Sequence, residues 1–179
     1  MTDPIRELKI RADVLQRGVE AGTPSALARL VALPELRQKS LDELALAAAG
    51  IQRKHCLGVV AREAGFDTWP HAVRVLDDEG EARPDDFGTL LYRRGCGGFL
   101  NVWFSSYDEA RAHHEERGGY LLAYRRHFFV VEAAFIEALG LDPDDADWAA
   151  LERDWAMPRD RAARRRLYGK LLARPAHAA

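Results

Sequence analysis

The stretch HCLGVVAREAGFDTWPHAVRVL, residues 55–76, constrains the fold of this chain more than any other segment. Gly65 can take the left-handed conformation in which helices end, so it predicts the end of one helix. Asp67 or Thr68 can then cap a second helix, with Pro70 in its first turn, where the missing N–H of proline is not needed. The stretch therefore predicts two helices that meet at a tight corner.

Such a corner raises the question of a DNA-reading helix-turn-helix. The second helix argues against it, because His71 and Arg74 fall where a recognition helix needs apolar residues to bury. Pro70 removes a backbone donor for phosphate contacts, and only Arg74 could read a base edge. The net charge of the chain is −2, so no basic field favours nucleic acid either. The sequence favours a packed helical corner.

Other helix starts in the first half of the chain are marked by capping chemistry. Asp3-Pro4 and Thr23-Pro24 each place a capping residue before a proline. Ser40 and Glu43 have the Ser-x-x-Glu form of a capping box. Residues 1–78 are therefore predicted to form a helical lobe.

The corner also carries the pattern Ala-Arg-Glu-x-Gly-Phe-x-Ser/Thr-Trp, at residues 61–69. On this pattern and the helices before it, residues 5–76 resemble the helical leader module of bacterial ankyrin-repeat and glyoxalase-related proteins. The resemblance implies a small helical module and transfers no catalytic residue. Ankyrin-type binding is not implied, because no repeat of about 33 residues and no Thr-Pro-Leu-His occurs.

The sequence changes in character after an acidic segment with glycine and proline, DDEGEARPDD at residues 77–86. This composition is typical of an exposed connection, which we place at 79–86, between the helical lobe and a second lobe at 87–179. Three short apolar runs bounded by glycines follow and are typical of strands: GTLLYRR at 88–94, GFLNVWF at 98–104 and GYLLAY at 119–124.

A helix is predicted between the second and third of these runs. Ser106 and Glu109 have the spacing of a capping box, and Gly118 would end the helix. About ten helical residues are enough to cross over between two parallel strands, but a helix lying on a small mixed sheet fits equally well.

Helices are also predicted over the rest of the chain. In HFFVVEAAFIEALG, residues 127–140, apolar side chains recur at helical spacing, although 128–131 could instead extend a strand. Asp142-Pro143 predicts the start of a further helix, and a last helix is predicted from Asp160. The predicted fold class is therefore α+β and predominantly helical, with an N-terminal helical lobe and a C-terminal lobe in which two or three short strands are wrapped by helices.

The last predicted helix carries the basic cluster of the chain, Arg161, Arg164, Arg165 and Arg166, largely away from its apolar side. The preceding segment 132–154 is strongly acidic, which favours ion pairing between the two. The alternative is a phosphate or RNA contact through the arginines, but no glycine-rich or aromatic platform accompanies them.

Two cysteines, Cys56 and Cys96, have a separation that fits neither a disulfide framework nor a zinc site. Helical spacing with Val60 predicts that Cys56 is buried. Cys96 lies in RRGCGGF, where arginines could lower the pKa of a thiol and glycines could expose backbone N–H groups. Cys96 is the candidate for a reactive thiol, with His113 or His127 as its base, although a glycine turn between strands explains the motif too.

The helix after Ser106 carries Glu109, His113 and His114. Glu109 and His113 share a face, but no His-Glu-x-x-His or Cys-x-x-Cys motif supplies further ligands. Adjacent histidines point about 100° apart on a helix, so His113 and His114 cannot both face one ion. We predict no metal and no cofactor.

Aromatic side chains and histidines near strand ends are the candidates for a binding pocket. They are Trp103, Tyr107, His113, Tyr120, Tyr124 and His127. Because no complete catalytic motif occurs, we expect a non-catalytic binding or protein-interaction module with a protein or small-molecule partner. The alternatives are a small enzyme or metal protein that uses Cys96 with His113 or His127, and nucleic-acid binding through the last helix.

The sequence also predicts a soluble, cytoplasmic protein. No apolar run reaches the length of a signal peptide or of a membrane-spanning helix. The net charge of −2 gives no attraction to anionic membranes, and two unpaired cysteines fit a reducing compartment.

Overall fold

The computed structural model of the chain describes residues 3–77, 84–92 and 96–173. The chain forms two compact units, an N-terminal unit, Ile5–Val73, and a C-terminal unit, Arg74–Ala179 together with Met1–Pro4. Most of the acidic connection predicted at 79–86 lies outside the described residues, so the predicted domain boundaries stay a prediction.

Helices make up the N-terminal unit. They are α1 (Pro4–Glu20), α2 (Pro24–Arg29), α3 (Leu41–Ala47), α4 (Arg53–Glu63) and α5 (Trp69–Asp77, whose last turn belongs to the C-terminal unit), with 3-10 turns at Leu30–Ala32, Pro34–Leu36 and Ala48–Gly50. The predicted capping box at α3 is confirmed: the Ser40 hydroxyl accepts the Glu43 N–H, and the Glu43 carboxylate accepts the Ser40 N–H at 2.8 Å. Thr23 stands at the N-cap of α2 but makes no side-chain capping bond.

The corner between α4 and α5 is packed as predicted. Gly65 has a φ of 91°, and the N–H of Phe66 donates to the carbonyl of Ala61 at 2.9 Å, which closes the end of α4. The Phe66 ring is buried edge-on against His71, a polar residue of α5 that is itself buried. Cys56 is also buried, and this burial raises the pKa of its thiol.

The C-terminal unit combines a small sheet with helices. Its elements are β1 (Val102–Phe104), α6 (Tyr107–Arg117), β2 (Tyr120–Tyr124), β3 (His127–Val131), α7 (Ala133–Ala138), α8 (Ala146–Ala150) and α9 (Arg161–Ala173), with a 3-10 turn at Cys96–Gly98. The strands lie in the order β1-β3-β2, and both pairs are antiparallel. The predicted α+β, predominantly helical fold class is confirmed.

Some local predictions were wrong. Residues 127–131 form the central strand rather than the start of a helix, because a strand buried on both faces is continuously apolar and loses its alternation. Residues 88–92 form a turn rather than a strand. Helix α6 does cross over between two parallel strands, since β1 and β2 are both antiparallel to β3, but β3 lies between them in the sheet. Ser106 stands at the N-cap of α6 but makes no capping-box bond.

The strand register assigns each side chain to one of two faces, because residues paired across strands share a face and successive residues alternate. The aromatic face carries Trp103, Tyr120, Leu122, Tyr124, His127, Phe129 and Val131. The helix face carries Val102, Phe104, Leu121, Ala123, Phe128 and Val130, and it packs on α6 through Ala110. The sheet therefore separates two distinct cores.

A buried arginine of α9 organises the segment that follows α8. Arg164 is 3% exposed, and its Nη1 donates to the carbonyls of Trp155 at 2.6 Å and Ala156 at 3.3 Å. The sequence placed Arg164 on the polar side of its helix, so this burial corrects that prediction. The three residues 153–155, the edge strap, in turn pair with Leu121 on the outer edge of β2.

Three further basic residues of α9, Arg165, Arg166 and Lys170, pair with acids, and the sequence favoured such ion pairing. Arg166 Nε and Lys170 Nζ donate to the buried carboxylate of Asp147 in α8, at 2.6 and 2.7 Å. Burial acts to raise the pKa of Asp147, but the bonds from Arg166 and Lys170 hold it below its ordinary value. Arg165 pairs with Asp77 at 3.4 Å.

We expect Arg164→Met to lower the free energy of unfolding by about 1–3 kcal/mol, because two buried carbonyls lose their donor. Arg6→Met, at an exposed position of α1, is the control for the arginine-to-methionine change and should alter stability by less than about 0.5 kcal/mol. Urea denaturation measures both. Equal losses of stability in the two variants would show that the Arg164 hydrogen bonds make no specific contribution to the free energy of unfolding.

Candidate functional site

The six residues predicted to line one pocket fall on both sides of the sheet. Trp103, Tyr120, Tyr124 and His127 lie on the aromatic face. Tyr107 and His113 belong to α6, on the other side, where their rings contact Phe128 and Phe104 at 5.7 and 5.3 Å between centroids. The six residues therefore form two separate groups, one on each side of the sheet, and do not line a single cleft.

Trp103 forms an ordered platform on the aromatic face. Its indole lies flat on Phe129, with ring centroids 4.5 Å apart and an angle of 16° between the planes. Tyr92 and Tyr124 pack edge-on against it, at 5.3 and 5.9 Å. Trp103 nevertheless stays 43% exposed. Sequence reasoning missed Tyr92, because it took the run around it for a strand.

Tyr120 lies on the same face, but its contacts indicate a structural role rather than a binding role. It is buried, its hydroxyl donates to the carbonyl of Pro143 at 2.8 Å, and its ring meets Trp148 edge-on. Burial raises the pKa of its phenol. His127 is exposed beside Tyr124, with which it pairs across the hairpin.

An open groove of about 320 Å³ lies beside α6, on the other side of the sheet. It is lined by Arg111, His114, Glu115, Glu152, Asp154, Met157 and Arg159. At its floor the Tyr107 hydroxyl donates to Asp154 Oδ2 at 2.6 Å and accepts from Arg111 Nη1 at 3.2 Å. Burial and the bond to Asp154 raise the pKa of Tyr107 to about 12.

Both arginines of this groove are already paired with glutamates. Arg111 contacts Glu115 at 2.8 Å, and Arg159 contacts Glu152 at 2.7 Å. Asp154 accepts a second bond, from the N–H of Met157 at 2.9 Å. Both arginines are therefore neutralised, and the buried Asp154 carboxylate links α6, through the Tyr107 hydroxyl, to the segment after α8.

The catalytic candidates do not come together as a complete set. Cys96 is 1% exposed, and the two arginines before it lie outside the described residues. His113 and His127 lie on opposite sides of the sheet, so one site cannot use both. Among residues 3–77, 84–92 and 96–173, no three His, Cys, Asp or Glu side chains are placed to hold a metal ion.

The outer edge of β1, its free edge, pairs with no other strand among residues 3–77, 84–92 and 96–173. Leu100, just before β1, is fully exposed, and Val102 is 45% exposed. None of residues 96–106 carries a charge. Asn101 Nδ2 is buried there and has no hydrogen-bond partner in the part of the chain that the structure describes. An uncharged edge with exposed apolar side chains is uncommon in monomeric proteins, which protect their sheet edges.

The hydrogen-bond pattern shows which backbone groups this edge offers. Leu121 uses its N–H and C=O for the edge strap, so those groups point away from β3. Because bonding directions alternate along antiparallel strands, Phe129 bonds β2, whereas Phe128 and Val130 bond β1. The N–H and C=O of Trp103 therefore point outward, and no residue in the described part of the chain bonds them.

No protein-family model, curated protein or solved structure matches this chain. The resemblance of residues 5–76 to a bacterial helical leader module therefore stays a prediction. No helix in the described ranges has both the length and the apolar character needed to cross a membrane.

We expect Tyr107→Phe to lower the free energy of unfolding by about 1–3 kcal/mol, because the buried Asp154 carboxylate loses a donor. Tyr124→Phe removes a hydroxyl that has no hydrogen bond within the described residues, so it should cost less than about 0.5 kcal/mol. Urea denaturation of both variants checks this. A stability of Tyr107→Phe equal to that of Tyr124→Phe would contradict the structural role of the groove floor.

The burial of Cys96 predicts slow modification of its thiol. In a Cys56→Ser variant, which leaves Cys96 as the single cysteine, a thiol reagent should react at less than about a tenth of the rate seen in urea. The measurement is the absorbance change on reaction with a chromogenic disulfide. Rapid reaction in the folded protein would restore Cys96 as a candidate nucleophile.

Proposed function

We propose that the C-terminal unit is a non-catalytic protein-interaction module, and that its binding surface is the free edge of β1. The observation that carries this proposal is the contrast between the two edges of the sheet. The outer edge of β2 is covered by the edge strap, through bonds of 2.8 and 2.9 Å at Leu121. The outer edge of β1 offers the N–H and C=O of Trp103.

The side chains along this edge favour a partner in extended conformation. Such a segment would add a strand to the sheet, with main-chain bonds for affinity and side-chain contacts for specificity. Leu100, Val102 and Trp103 offer exposed apolar surface on both sides of the main chain. The Trp103 ring is already packed flat on Phe129, so a partner that binds it has to remove little further side-chain entropy.

The two other candidate surfaces, the groove beside α6 and the basic side of α9, favour catalysis and nucleic-acid binding less than the β1 edge favours a protein partner. In the groove beside α6 both arginines are paired with glutamates, and Asp154 is held by the Tyr107 hydroxyl and the Met157 N–H, so these groups are already engaged. On α9, Arg164 is buried and Arg166 is bound to Asp147, which leaves little free charge for a nucleic-acid phosphate. Binding at β1 is therefore favoured over catalysis and over nucleic-acid binding.

A random peptide library displayed on phage tests this proposal. Selection on the wild-type protein should enrich extended sequences that bind at least about tenfold more weakly to Val102→Lys, because a lysine at the edge opposes strand addition. Leu46→Lys, at an 84% exposed position of the N-terminal unit, is the matched control and should bind like the wild type. Clones that bind Val102→Lys as well as they bind the control would overturn the proposal.

A further inference from the structure

We infer that the partner at the β1 edge is a second copy of this chain, paired with it about a twofold axis at Trp103. This inference rests on the proposed function, because it names the occupant of the same surface. It predicts a dimer with one continuous sheet, in which β1 of each copy pairs antiparallel with β1 of the other.

The direction of the backbone groups determines where the axis passes. In an antiparallel pair, opposed residues either exchange both N–H···O bonds or exchange neither. Trp103 is the residue of β1 whose N–H and C=O point outward, so two copies exchange both bonds when Trp103 opposes Trp103. Val102 of one copy then opposes Phe104 of the other, on the helix face.

The absence of charged residues along this segment is compatible with self-pairing and favours it. With Trp103 at the axis, Leu100 opposes Ser106 of the second copy, and Asn101 opposes Ser105. All residues from 96 to 106 are uncharged, so no like charges meet and no charge is desolvated. Ser105 also comes opposite Asn101, so two small uncharged polar side chains meet there.

The covered edge of β2 limits the assembly to two copies. A chain with two open edges could add strands without end, which is the hazard of unprotected sheets. Here the edge strap occupies the outer edge of β2, and the twofold pairing uses β1 of both copies. The interface is therefore isologous and closed, as in most soluble homodimers.

Native mass spectrometry and sedimentation equilibrium of the full chain, between about 1 and about 100 µM, test this inference, since weak dimers dissociate in this range. We expect a dimer for the wild type and for Leu46→Lys. Val102→Lys and Leu100→Lys should each raise the dissociation constant at least about tenfold, because a lysine would be desolvated in the new sheet. Hydrogen exchange in the peptide around Trp103 should slow as the dimer forms.

Two results would overturn the inference. One is a monomer at every concentration; the peptide selection would then decide separately whether the edge binds another protein. The other is a dimer that persists in both lysine variants, which would place the interface elsewhere. Leu100 is fully exposed, so Leu100→Lys keeps the test valid if Val102→Lys fails to fold.

Discussion

The buried guanidinium of Arg164 is the interaction on which the C-terminal unit depends. A charged donor away from water forms strong bonds, but it must be satisfied, and here the carbonyls of Trp155 and Ala156 satisfy it. These bonds hold the chain after α8 in a position where the N–H of Trp155 donates to Leu121. One side chain thereby connects α9, the edge strap and β2.

This connection also determines which surfaces stay open. With the outer edge of β2 covered, the small sheet keeps a free edge at β1, where Trp103 offers its backbone groups. The same strap carries Asp154 into the groove beside α6, where Tyr107 and Met157 bind its carboxylate. The groove is thus part of the structural framework, and the β1 edge is the surface with unused bonding capacity.

Sequence reasoning succeeded where the determining contacts are local. The Ser40 and Glu43 capping box and the Gly65 corner each depend on residues within one helical turn. The same spacing at Ser106 and Glu109 formed no box, which shows that spacing permits a cap without requiring it. The segment 127–131 was misjudged because a central strand that is buried on both faces has no alternation to distinguish it from a helix.

The sequence by itself determined the helical character of the chain, the capping box of Ser40 and Glu43, and the uncharged run from 96 to 106. Only the tertiary structure decided that Trp103 and Tyr107 lie on opposite sides of a sheet and that Arg164 is buried. The reason is physical: Tyr107 and Asp154 are 47 residues apart, and Val102 pairs with Val130. Strand register and the covering of an edge bring such residues together, and no local pattern encodes them.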